Sequence, residues 1–184
     1  AWNAGDLEKA RELQNFSQEV INVIYSNAVV RADDSLCRFA KGITDPICFK
    51  RMFSHKITSF SPNKIFYTDG FFHNSKTSYA IVGQLSSTNF ETIKESRLPD
   101  HTGIFTAEIA AIKTAITLDT QHGEKNLICA DSLSATQAII KNHNGAFDEI
   151  LQLDNETQQI LVLWIPSHIG IPGNERADCD AKGH

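Results

Sequence analysis

The chain has 184 residues, 41% of them hydrophobic, and a formal net charge of −5 from 17 Lys+Arg and 22 Asp+Glu. That length suits one domain with an extension, since domains commonly run about 100–200 residues. The acidic balance argues against a general polyanion binder. No apolar run reaches the roughly 20 residues of a membrane-spanning helix, and acidic Asp6, Glu8 and Glu12 stand where a secretory leader would be basic. No membrane partner is therefore expected. Because the first residue is Ala1, the chain is expected to be a piece of a longer one. Cys37, Cys48, Cys129 and Cys179 form no C-x-x-C pair, which speaks for free thiols and an intracellular setting (cytoplasm, nucleus or both).

Leu13, Phe16, Val20 and Val23/Ile24 recur at helical steps, so a helix is expected from Asp6 to about Asn27. Asp34 or Ser35 is placed to cap a second, short helix holding Leu36 and Phe39, with Gly42 ending it. Pro46 reads as a turn, and residues 47–60 give no clear periodicity. Ser61-Pro62-Asn63 is the best boundary. Residues 1–62 are read as a mostly helical extension, with Lys50, Arg51 and Lys56 as solvated surface rather than phosphate contacts. This part carries 8 Lys+Arg and 7 Asp+Glu, a net +1; residues 63–184 carry 9 and 15, a net −6. Nucleic acid meeting the second part would need those carboxylates neutralised, and metal ions are the obvious means.

Beyond the boundary the texture changes. KIFYTD (64–69), TSYAIVGQ (77–84) and a third run within 86–98 read as strands of an antiparallel meander. IFTAEIAAIKTAITLD (104–119) reads as a helix, NLICA (126–130) as a strand, and 132–142 and 146–159 as helices. ILVLWI (160–165) reads as the last strand, with a final helix from about Asn174, which would cap it. The order predicts an α/β fold, a central mixed five-stranded sheet flanked by helices.

Four acids stand out. Asp69 ends a strand before Gly70, a position that also suits a turn. Glu108 shares a helix stripe with Ile104, Phe105, Ile109, Ile112 and Ile116, where an unpaired carboxylate is costly; a slightly rotated helix would put it at the border instead. Asp131 follows NLICA at the carboxyl edge of the sheet, where α/β proteins place ligands, and equally suits a helix N-cap. Asp178 falls in the first turn of the last helix, where the helix dipole alone favours an acid. Each has a plain explanation singly; the four together ask for a common one.

YTDG (67–70), TAEIAAI (106–112), ADS (130–132) and WIPSHIGIPGNERAD (164–178) resemble the four signatures of type 1 ribonuclease H, in order and at similar spacings. The resemblance covers residues 63–184, and the form of the motifs is most similar to domains of non-LTR retrotransposons. It implies a metal-dependent endonuclease that hydrolyses the RNA strand of RNA/DNA hybrids. The domain would be part of a polyprotein with a reverse transcriptase, residues 1–62 being the connector. It also implies a site of Asp69, Glu108, Asp131 and Asp178 holding two Mg²⁺ ions, with Mn²⁺ able to substitute. One ion would activate water and the other stabilise the leaving 3′-oxygen. His168 would serve proton transfer or product departure. Gly170, Pro172 and Gly173 would shape its loop. Gly70, Asn74, Ser132 and Asn174 would meet the substrate, with 2′-hydroxyls marking the RNA strand.

Three features depart from the family pattern. Phe71-Phe72 follow DG where a small residue is usual; no Lys/Arg-rich protrusion lies between Asp131 and Trp164; and the last helix usually runs beyond Ala181-Lys182-Gly183-His184. Two rivals remain on this reading: a non-cutting module that only binds nucleic acid, and a different nuclease of the same superfold, such as a resolvase or integrase-like enzyme.

Overall fold

The structure, a computed structural model, describes residues 28–39, 42–118, 123–150 and 158–183. The helix expected over residues 6–27 lies outside them. Six strands form one mixed sheet: β1 (Ala28–Asp33), β2 (Lys64–His73), β3 (Lys76–Gln84), β4 (Phe90–Leu98), β5 (Lys125–Ala130) and β6 (Gln158–Trp164). Their order is β1-β6-β5-β2-β3-β4. The first four neighbours run parallel, whereas β2, β3 and β4 form an antiparallel meander. The α/β architecture is as the sequence predicts, with one strand more: β1 comes from the stretch read as a helical extension.

Among the described residues, four helices flank the sheet: α1 (Pro46–Phe60), α2 (Ile104–Thr117), α3 (Leu133–Ile150) and α4 (Pro172–Lys182). A single 3-10 turn, Ser35–Arg38, stands where the second short helix was expected. α1 resolves the ambiguous 47–60 stretch. Asp45 caps it by accepting from the Ile47 amide at 2.7 Å, and Pro46, which reads as a turn, is its first residue. Proline suits that position because its missing N–H would have had no helical partner. Ser61, at φ 52°, ends the helix. α3 continues through the break expected at residues 143–145 to Ile150. Residues 151–157 are outside the described set, and Gln158–Gln159 already belong to β6.

The sheet is covered on both faces, each by its own apolar cluster. One joins Ile109, Ile112 and Ile116 of α2 and Ile139 of α3 to Ile81, Ile128 and Val162. The other joins Phe49 and Phe53 of α1 and Ala177 of α4 to Tyr67, Leu127, Leu163 and Ile165. The central parallel strands are thus buried on both sides, which explains their near-continuous apolar runs. In α2 the buried stripe is Ala107, Glu108, Ile109, Ala111, Ile112, Ala115 and Ile116, while Ile104 is 44% exposed. The stripe is therefore rotated from the one drawn through Ile104, and Glu108 lies within it rather than at its border.

Candidate active site

The register of β2 and β5 brings two acids side by side. The last parallel pair is Thr68↔Ala130, and one residue further on each strand stand Asp69 and Asp131. Neighbouring strands lie about 4.8 Å apart, so these carboxylates face each other at the carboxyl edge of the sheet. Glu108 reaches them from α2 because residue 70 has no side chain. A Cβ on Gly70 would stand 2.9 Å from the Glu108 amide nitrogen and 3.1 Å from Cδ of its carboxyl. Ligand atoms of Asp69, Glu108 and Asp131 all lie within 4.8 Å of one another. Asp69 and Glu108 are buried, 6% and 7% exposed, and among the described residues Oε2 of Glu108 has no hydrogen-bond partner.

Such crowding raises the cost of ionisation. Burial, then the charges of Asp131 and Asp178, push Asp69 up to about 8. Burial, then Asp69 and Asp131, raise Glu108 well above its ordinary range. Burial also raises Asp131, against the opposing pull of the Asn174 amide and of the nearby His168. An orphaned, buried carboxylate oxygen within a knot of like charges fits a hard divalent cation, which takes oxygen ligands and reverses this electrostatic penalty.

Asp178 stands outside that group of three. On α4 it neighbours Asp69 closely enough to hydrogen-bond with it, and its Oδ2 pairs with Lys182 Nζ at 2.6 Å. The short last helix is nevertheless tied down: Ser78 Oγ donates to the Ala181 carbonyl at 2.5 Å, and Ala181 is fully buried. His168 sits on the loop after β6 with φ 55°, its side chain 61% exposed and Nδ1 3.9 Å from Glu175 Oε2. Gly170, at φ 75°, turns that loop, and its amide donates to Glu175 Oε1.

Asn174 does not cap α4. Pro172 starts the helix after Ile171, and Asn174 turns inward, 2% exposed, donating through Nδ2 to Asp131 Oδ2 at 3.2 Å. Gly173 belongs to α4 rather than to the loop, where a Cβ would stand 2.2 Å from the Tyr67 ring. Ser132 precedes α3, and its Oγ accepts weakly from the Ala135 amide at 3.4 Å. Asn74 is not brought to the carboxylates. With Ser75 it forms the two-residue β2–β3 hairpin, φ 49° and 63°, five residues beyond Asp69 or on the order of 16 Å along the strand. Phe71 lies between them, half-buried, its ring 6.2 Å from that of His73. Trp164 is a contributor the sequence reading missed: its Nε1 donates to the Asp131 carbonyl at 3.1 Å, fixing the backbone beneath that carboxylate. Its signal was present, a tryptophan at a strand end opposite Ala130, but its partner becomes visible only with the register.

Compared with known families, residues 61–184 match the family model described as RNase H. No curated protein matches the chain.

Proposed function

We propose, since the chain belongs to the RNase H family, that it hydrolyses the RNA strand of RNA/DNA hybrids at its carboxylate cluster, with divalent metal ions as cofactor. The observation that carries this is the convergence of Asp69, Glu108 and Asp131 within 4.8 Å, with a buried Glu108 oxygen left unpartnered. These residues, joined by Asp178, would hold Mg²⁺, with Mn²⁺ able to substitute. Two such ions, when bound, supply an activated water and a counter-charge for the leaving 3′-oxygen. Asn174 and Trp164 orient Asp131 through its carboxylate and its carbonyl. His168, exposed on its turn, can move a proton between the reacting groups and solvent. The Gly70 backbone and Ser132 flank the carboxylates and suit contact with the RNA strand, whose 2′-hydroxyls separate it from DNA.

The form of the motifs supports a retroelement polyprotein in which a reverse transcriptase precedes this domain, residues 1–62 serving as connector in an intracellular protein. A second reading, a hybrid-binding module that does not cut, has one observation on its side: Asp178 stands outside the group of three, paired with Lys182. Labelled RNA/DNA hybrid, all-DNA duplex and single-stranded RNA, each incubated with the chain and Mg²⁺, separate the readings. Loss of only the hybrid's RNA strand supports the proposal. Binding of the hybrid without cutting supports the module, and cutting of the all-DNA duplex points to another nuclease chemistry.

A further inference from the structure

The carboxylate site faces a polyanionic substrate, yet residues 63–184 carry a net charge of −6. The cations of α4 are already engaged: Lys182 with Asp178 and Arg176 with Asp180. A cation arrives instead from outside the family match. Nζ of Lys50, on α1, lies 3.0 Å from where a Cβ on Gly170 would be. Gly170 is two residues beyond His168, and its amide is bonded to Glu175 in the first turn of the helix bearing Asn174 and Asp178.

The placement is built into the packing. The far end of α1 leads through Ser61 and Asn63 to the start of β5, where Asn63 Oδ1 accepts from the Lys125 amide at 2.8 Å. Its first turns therefore lie at the opposite edge of the sheet, which is the edge carrying Asp69 and Asp131. Phe49, fully buried beside Lys50, shares an apolar cluster with Ile169 and Ile171 on either side of Gly170. Lys50 itself is exposed, and among the described residues no carboxylate forms an ion pair with it.

We propose that Lys50 is a substrate-binding residue of this site, its ammonium contacting a backbone phosphate of the hybrid at the His168 loop. The segment before residue 61 thereby extends the nucleic-acid surface of the nuclease domain. The inference rests on the hybrid-binding function proposed above. The test is hybrid binding by the full chain carrying Asp131→Asn, followed by fluorescence anisotropy from low to moderate salt, with Lys50→Glu, Lys50→Gln or Lys50→Arg added. Lys50→Glu is expected to weaken binding roughly five- to tenfold and to reduce the salt slope by about 1, the mark of one lost phosphate contact. Lys50→Gln should lower the slope likewise, and Lys50→Arg should restore both. Unchanged affinity and slope in Lys50→Glu, in a background that binds hybrid, would overturn the inference and leave the proposed activity standing. A wild-type chain that neither binds nor cuts hybrid would overturn both. Melting curves of each variant report whether the fold is intact.

Discussion

Asp69 shows how much one residue's surroundings can ask of it. Its carboxyl is raised from 3.8 to about 8, chiefly by burial and then by Asp131 and Asp178. An acid raised in this way supports the fold only while protonated. Its contribution is full below about pH 4 and is lost as pH climbs towards 8. In EDTA the melting temperature should therefore fall between pH 5 and pH 8. Asp69→Asn should flatten that fall and stabilise the protein at pH 8 by on the order of 1–3 kcal/mol; a parallel pH profile in the variant would show that the strain lies elsewhere. His168 has a different place, exposed and outside the carboxylate group. His168→Ala should slow turnover roughly 10- to 100-fold while metal affinity, read by calorimetry, stays the same. An equal loss of metal affinity would make His168 part of the metal site instead. Asp69, Glu108 and Asp131 were legible in the sequence as a set through the motif resemblance; singly, Asp69 suited a turn, Glu108 a stripe border and Asp131 a helix cap. The inward turn of Asn174 was not, because its partner lies 43 residues away.

At the scale of elements, glycines decide how closely helices approach the sheet. Gly70 admits Glu108, and Gly173 admits the Tyr67 ring. The sequence suggested that Gly173 shaped a loop; its actual role depends on α4 crossing β2, which no local spacing reveals. Gly173→Ala should push α4 away from Tyr67 and cost about 1–3 kcal/mol of stability, measurable by urea unfolding. Because α4 carries Asn174 and Asp178, activity should fall further than stability does. A neutral Gly173→Ala would mean that this helix–strand contact is looser than the geometry here. The strongly periodic α2 and the meander were readable from the sequence. α1 was less so, although Asp45-Pro46 is a cap followed by a proline at the first helical position, and Phe49 and Phe53 share one face. The turn chemistry of Pro46 masked that signal.

For the whole molecule, residues 28–60 depart most from the helical extension that the sequence predicts. β1 pairs with β6 in parallel, Ala28↔Gln158 through Asp33↔Leu163, a partnership spanning some 130 residues of chain. A six-residue strand with so distant a partner leaves little local trace. β1 extends the sheet beneath α3, with Val30 in the cluster on that face, while α1 closes the opposite face, which also carries α4, so the stretch read as an extension is part of the packed body. Phe49 is fully buried there. Phe49→Ala should cost about 3–5 kcal/mol in a single unfolding transition of the chain; a loss below about 1 kcal/mol would mean that α1 detaches independently. The packing of α1 also bears on function, because it brings Lys50 beside Gly170 on the His168 loop.

The convergence of Asp69, Glu108 and Asp131 is proposed to make a metal-dependent nuclease site for RNA/DNA hybrids. Its most direct measurement is cleavage of end-labelled hybrid in Mg²⁺ by the wild-type chain and by Asp131→Asn, each with and without EDTA. RNA fragments with 5′-phosphate and 3′-hydroxyl ends are expected from the wild type in Mg²⁺ alone. Asp131→Asn should lose roughly 100- to 1000-fold in cleavage with hybrid binding retained. Cleavage that persists in EDTA, or that Asp131→Asn leaves intact, would contradict that proposal.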